Sequence, residues 1–355
     1  MTSRSSSLGR YRKESRRKMI FIASSLALLF LTVVISLLIG PSSMTAGETF
    51  QALIGEGEST YEIILWNIRV PRIVTAIFAG LGLAVAGAAM QSILRNPLGS
   101  PFTLGISQAA AFGAAFSIVV LGAGTMGSDM SDAVIFDEGY LVTISAFLFS
   151  MVATGVIFLL ARYKRASPES MILTGVAMGS LATAGITALE YFADEVELAS
   201  IIFWTFGDMG RPTWDEIPIL AGVVTAGFLF FLFISLRLNA LDSGEQSAKS
   251  LGVDVERMRM LTLLSSAIVT ASVISFVGII GFVGLVVPHI GRKIIGGDNR
   301  YLIPFSASLG ASLLLVADTV ARTVISPVVL PVGILTAFIG APLFIYLVVK
   351  GREYW

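Results

Sequence analysis

Long apolar runs separated by short charged segments make up most of the chain. A helix needs about 20 mostly apolar residues to cross the hydrocarbon core of a bilayer. Runs of roughly that length fall near 19–40, 63–92, 102–123, 140–162, 169–190, 216–236, 259–277, 279–296, 302–323 and 332–350. The pattern predicts an all-α, polytopic membrane protein of about ten transmembrane helices. The seventh and eighth runs are divided by little more than the glycines of Val277-Gly278-Ile279-Ile280-Gly281. Small residues recur at helical spacing in Gly80, Ala84 and Ala88, in Ala307 and Ala311, and in Gly333, Ala337 and Ala341, a spacing that lets helix backbones approach closely in any multispan bundle.

Composition narrows the class. Of 355 residues 55% are hydrophobic and 14% charged, with mean hydropathy +0.84, where a soluble domain carries roughly 25% charged residues. Ten crossings with short loops leave no room for a soluble catalytic domain, so residues 19–355 read as one transmembrane domain and 1–18 as a basic N-terminal arm. The absence of cysteine excludes disulfides, thiolate metal sites and thiol nucleophiles, and the single histidine, His289, removes most other metal chemistry. A lone histidine is more often a satisfied structural residue than a ligand. The run 19–40 is too long for a signal-peptide core and lacks a clear cleavage pattern, so it reads as a retained first helix.

Net charge is zero, but its distribution is not even. With the N-terminus inside, the arm and the segments around 93–101, 162–168, 237–258, 291–301 and 350–355 carry all but four of the 24 Lys and Arg residues. This is the bias that the positive-inside rule requires, and it puts both termini in the cytoplasm. Lys164, Arg165 and Arg352 belong to that set. The opposite loops hold Glu48, Glu56, Glu58 and Glu62, then Asp129, Asp132, Asp137 and Glu138, then Glu190, Asp194, Glu195 and Glu197.

The four exceptions are Arg69, Arg72, Arg211 and Arg322. An arginine at mid-bilayer costs about 2.5–3.5 kcal/mol or more, so each needs a partner or a wet surface. Arg69 and Arg72 share one side of what reads as a helix start, where they either snorkel to headgroups or present a docking site to an acidic partner. Asp318 and Arg322 stand four residues apart and form a candidate intramembrane pair.

Almost no other acid lies within a span, which argues against an ion-coupled carrier, since such carriers place polar ligands at mid-membrane. No phosphate-cradling Gly-x-x-x-x-Gly-Lys-Ser/Thr loop is present, so nucleotide chemistry would belong to another subunit. A membrane-embedded enzyme is disfavoured by the lack of a paired acid, nucleophile or metal cluster. The longest inner loop, Leu238 to Gly252, reads as short helices separated by Gly244 and stopped by Gly252. Its apolar Leu241, Ala248 and Leu251 among charged residues suggest a contact surface, against the plainer reading of a solvated connector.

These segments carry a resemblance. Arg69-Val70-Pro71-Arg72, Gln91 to Pro101, the Leu238–Gly252 loop, Gly281 to Ile290, Ala317 to Arg322, and Leu330-Pro331-Val332-Gly333 through Gly340-Ala341-Pro342 occur in this order, and with them the chain resembles the FecCD-type permeases of binding-protein-dependent ABC importers from about residue 63 to 350. The resemblance implies a type II importer permease fold in the cell membrane and a homodimer of ten-helix subunits. Two ATPase subunits would supply ATP and Mg chemistry, an extracytoplasmic binding protein would deliver cargo, and this chain would hold no cofactor and catalyse no bond chemistry. Nucleic acid has no part in it.

The resemblance further implies that Gly244, Glu245, Ala248, Leu251 and Gly252 seat in the ATPase, within a coupling loop near 237–258. It implies that Arg69, Arg72 and Arg322 meet glutamates of the binding protein, and that Asn96 and Leu98 form a gate. A companion gate in the following inner loop is usually small and polar, whereas this chain has Pro168-Glu169. Such permeases carry iron–siderophore complexes, haem or cobalamin. Iron chelates are the commonest cargo, and the sequence does not choose among these or an oxyanion such as molybdate.

Overall fold

The computed structural model describes residues 2–40, 44–123, 139–163, 167–326 and 328–350. Asp129, Asp132, Asp137, Glu138, Lys164, Arg165 and Arg352, named above for loop charge, lie outside them.

The described residues form helices α1 (Thr2–Leu38), α2 (Ala46–Leu53), α3 (Ser59–Ile63), α4 (Val70–Leu94), α5 (Ile106–Val119), α6 (Gly139–Tyr163) and α7 (Pro168–Phe192). They continue with α8 (Glu195–Thr205), α9 (Ile217–Asp242), α10 (Glu245–Ser250), α11 (Val255–Val277), α12 (Val283–Ile295), α13 (Asn299–Thr323) and α14 (Val332–Lys350). No β-strand occurs among the described residues. Seven helices are long and apolar enough to cross a membrane, and α5 and the first part of α14 are shorter apolar helices.

The apolar residues face two ways. On α6, α7 and α9, Leu148, Val152, Leu159, Leu173, Leu181, Leu229 and Phe233 are exposed, an arrangement suited to hydrocarbon and not to water. α4, α11 and α13 are largely buried at the centre. Lipid tails are as apolar as leucine, so these helices associate through close packing and interhelical hydrogen bonds. Gly80 and Ala84 of α4 lie against Gly310 of α13, so closely that a side chain at Gly310 would overlap both. Ser25 and Ser308 hydroxyls meet at 2.6 Å between α1 and α13, and Ser150 donates to the Ile106 carbonyl at 3.2 Å between α6 and α5.

Several sequence expectations change. Arg69 and Arg72 do stand at the start of α4, but it is not a free helix end: the helical path runs from Ser59 to Leu94 through a π-helical stretch, Ile64–Arg69, which rotates the side chains that follow. The residues around 238–242 are not a separate short helix but the end of α9, because no breaker intervenes before Gly244. The third and eighth apolar runs form only α5 and α12, of 14 and 13 residues, or about 20 Å each.

The shortening has a local cause. Gly105 takes φ +73 before α5, and the chain between α11 and α12 leaves the helix at Gly278, φ +81. Non-helical backbone at membrane depth is tolerated only where protein satisfies it. Here segments 206–209, 277–282 and 330–333 satisfy one another. Asp208 N donates to Val277 O at 2.8 Å, Val332 N to Gly207 O at 3.2 Å and Gly333 N to Phe206 O at 3.1 Å. Phe282 completes this junction with φ +66, a left-handed conformation strained for an aromatic residue.

Candidate functional site

The charged residues gather at the two ends of the bundle, one bearing the acidic loops and one the basic loops. At the acidic end, α4 supplies Arg72 and α13 supplies Asp318 and Arg322, so that one carboxylate lies between two guanidinium groups. Arg72 Nε donates to Asp318 Oδ1 at 2.7 Å, and Arg322 Nε lies 3.0 Å from Asp318 Oδ2. Asp318 is fully buried.

Arg322 Nη2 also donates to Ser36 Oγ of α1 at 2.8 Å, and Ser36 accepts again from Thr319 at 3.0 Å. Arg69 is 2% exposed and donates to the Leu37 carbonyl at the end of α1 at 2.7 Å, using an acceptor that the helix terminus leaves over. Three arginines thus converge, none snorkelling to the surface: Arg72 and Arg322 are 8% and 4% exposed. Arg211 lies apart, over the Trp204 ring at 5.7 Å.

Sequence reasoning missed Asp208, whose Oδ1 lies 2.8 Å from Arg72 Nη2 and whose side chain is 47% exposed. Nothing local marks it, since the pairing spans from the α8–α9 loop to α4.

At the basic end, Gly244 (φ +109) turns the chain out of α9 and Gly252 (φ +78) turns it into α11, which leaves α10 as a short separate helix. Ala248 packs inward, fully buried, while Leu251 is 70% exposed. Glu245 Oε1 accepts from Arg259 Nη2 at 2.6 Å, and Arg259 Nε donates to the Ile93 carbonyl at 3.2 Å in the last turn of α4. The hydrogen bond and the charge of Arg259 hold the Glu245 carboxyl below the usual carboxylate range. Arg259, read from sequence as a loop cation, is 3% exposed and ties α10 to α4.

The chain beyond α4 is the gate candidate. Arg95 closes the helix at φ +46 and Asn96 Oδ1 accepts from Leu98 N at 2.9 Å, which fixes a tight turn with Leu98 partly exposed. Leu98 lines a cavity of about 360 Å³ together with Leu83, Ser107, Thr270, Phe282 and Phe344. Pro168-Glu169 instead forms the first turn of α7, with Ser167 accepting from Ser170 N at 3.2 Å as the cap.

A second polar node lies beside α10. Asn299 Nδ2 donates to Asp242 Oδ2 at 2.8 Å, Ser92 Oγ donates to the same oxygen at 3.1 Å, and Asn239 Nδ2 donates to Asp298 Oδ1 at 2.8 Å. Arg292 Nη1 stands 3.9 Å from Asp242. His289 is half-buried, with Nε2 lacking a hydrogen-bond partner. Among the described residues no group of three or more acid or histidine side chains could hold a metal ion.

Comparison with known proteins gives this arrangement a setting. The model of the FecCD transport family matches residues 28–350. An ABC transporter permease protein of Methanocaldococcus jannaschii is 49% identical over 341 residues, spanning 96% of this chain and 97% of its own. The hemin transport system permease protein HmuU of Yersinia pestis is 35% identical over 328 residues, covering 92% and 95%. The cobalamin import system permease protein BtuC of Halobacterium salinarum is 36% identical over 296 residues, covering 83% and 75%. A solved structure described as an inward-facing metal-chelate type ABC transporter superposes with TM-score 0.79 at 32% identity, over 93% of this chain and 98% of that one.

Proposed function

Because this chain belongs to the FecCD transport family, and so is a permease of ABC importer type, we propose that it moves an iron–siderophore-type metal chelate as one half of a homodimer. In this reading each subunit crosses the membrane ten times, with α5, α12 and α14 adding crossings to the seven long helices and both termini in the cytoplasm. The basic end then faces the cytoplasm and meets two ATPase subunits. The acidic end receives the binding protein.

The observation that carries the reading is α10. It is set off from α9 and α11 by two glycines of positive φ, packs on the bundle through Ala248, and presents Leu251 beside a groove of about 580 Å³ lined by Arg237, Asp254, Arg257 and Met258. Glu245 and Arg259 link it to the α4 end from which Asn96 and Leu98 follow. A push on α10 has a short polar route to the gate. ATP binding and hydrolysis on the partners would thus move the gate while the cargo passes between subunits without covalent change. At the other end, glutamates of the binding protein would dock on Arg69, Arg72 and Arg322. These are 2%, 8% and 4% exposed, so docking requires the residues covering them to move aside, and the charges would fix register and speed encounter.

Relatives named for hemin, Fe(3+)-citrate, hydroxamate and cobalamin transport leave cobalamin and haem as alternative cargoes. The test is uptake into proteoliposomes holding the chain with its ATPase and binding protein, comparing a ferric siderophore, haemin and cobalamin. ATP-dependent uptake of the ferric chelate is expected. Uptake that persists without the ATPase would favour an ion-coupled carrier, and preference for cobalamin or haemin would reassign the cargo.

A further inference from the structure

The acidic-end cluster is asymmetric in a way that bears on docking. Arg72 has two carboxylates: Asp318, fully buried and fixed in α13, and Asp208, about half-exposed in the α8–α9 loop. Arg72 Nη2 is buried and lies 2.8 Å from Asp208 Oδ1, so the half-exposed carboxylate closes the solvent side of an otherwise buried guanidinium. Asp208 Oδ1 is shared with its own backbone, accepting from Gly210 N at 3.0 Å. Gly210 itself lies so close to the Arg72 guanidinium that an added Cβ would stand 2.6 Å from Nη1, so the 208–210 turn covers the arginine on its solvent side.

The same segment is a backbone fastener. Its amides and carbonyls pair with Val277 at the end of α11 and with Val332 and Gly333 at the start of α14. α14 then reaches Phe282 through Gly340, and Phe282 lines the cavity that Leu98 shares.

We propose that Asp208 is an intramolecular stand-in for the acidic side chain of the docking protein. Docking exchanges Asp208 for a partner carboxylate on Arg72, and the released 206–210 segment loosens its hold on the first turn of α14. Arrival outside is thereby signalled to the path before any ATP is spent. The inference rests on the docking reading, and the two fail in distinguishable ways.

The experiment uses the importer in lipid nanodiscs and the binding protein that co-purifies with it, and measures affinity by interferometry and amide exchange at Val332 and Gly333. Asp208→Asn is expected to bind about three- to fivefold tighter, the scale of a half-exposed ion pair, and to exchange faster at both amides without partner. Asp208→Glu returns both to wild-type values. In wild type, adding the binding protein accelerates the same amides. If Asp208→Asn binds no tighter while Arg72→Gln weakens binding tenfold or more, the exchange is overturned and docking survives. If Arg72→Gln binds as wild type, docking falls and the exchange with it. Should Asp208→Asn not assemble, the wild-type amides decide: acceleration on docking supports the exchange, and unchanged or slower exchange overturns it.

Discussion

Both ends of the bundle bury arginines, but they differ in where the acids sit. At the acidic end the central carboxylate, Asp318, is sealed between α4 and α13, and only Asp208 reaches solvent. At the basic end Arg259 is buried and Arg292 is 20% exposed, while their acids, Glu245 and Asp242, are 42% and 27% exposed at the turn from α9 to α10. A charge pair whose two members lie in packed helices can only brace. One that joins a packed helix to a short external helix can also transmit. The end assigned to docking is thus built around a rigid centre with one exchangeable acid, and the end assigned to the ATPase is articulated throughout.

The largest break in that contrast is expected at Asp318. Asp318→Asn leaves Arg72 and Arg322 facing each other across a water-poor site. Removing one partner of a buried pair costs about 3–5 kcal/mol. The variant should lose most of its folded yield, or melt far below wild type in detergent, while Asp318→Leu with Arg322→Met restores much of the stability because Arg72 retains Asp208. A single variant that melts with the wild type would mean that water screens the cluster and that its centre is not rigid.

Arg259 tests the articulated end. Arg259→Gln leaves the Ile93 carbonyl and a half-exposed Glu245 that water reaches, so the stability loss is expected to be smaller, roughly 1.5–3 kcal/mol as for a hydrogen bond to a charged group. The sharper readout is coupling: ATPase activity of the assembled importer should persist while cargo moved per ATP falls about tenfold. An unchanged ratio would reduce Arg259 to a brace and erase the difference between the ends.

How much of this was legible in the sequence depends on which rule a residue breaks. Hydropathy exposes the spans, and Arg72 and Arg322 stand out because they violate the charge bias between loops. Asp318 follows from them by helical spacing. Arg259 obeys the same bias, so it looks like any loop cation, although it is buried. Asp208 is hidden because its partner is far along the chain. The shortness of α5 and α12 is also invisible to hydropathy, because the irregular segments 206–209, 277–282 and 330–333 are satisfied by one another and carry apolar residues like any span. Asp242, Asn299 and Ser92 form their node from residue types that are ordinary at helix ends, so only the fold brings them together.

The smallest effect concerns that node and its dependence on pH. Burial pushes the Asp298 carboxyl up, but hydrogen bonds from Arg300 and Asn239 outweigh it and bring it down to about 2 from 3.8. A folded value below the unfolded one means the stabilisation is complete above about pH 4 and is lost as pH falls towards 2. Arg300 is 40% exposed, so screening keeps the contribution below about 1 kcal/mol. Asp298→Asn should therefore approach wild type only as the pH falls to about 2 and fall slightly below it at pH 6, as read by melting in detergent. Glu245, also held below its usual range, titrates nearby and would blur the result, so Glu245→Gln is measured in parallel. If only Glu245→Gln removes the acid sensitivity, the pH-responsive contact at the basic end is the α10 link and not Asp298, whose side chain caps the start of α13, which would concentrate the articulation still further on α10.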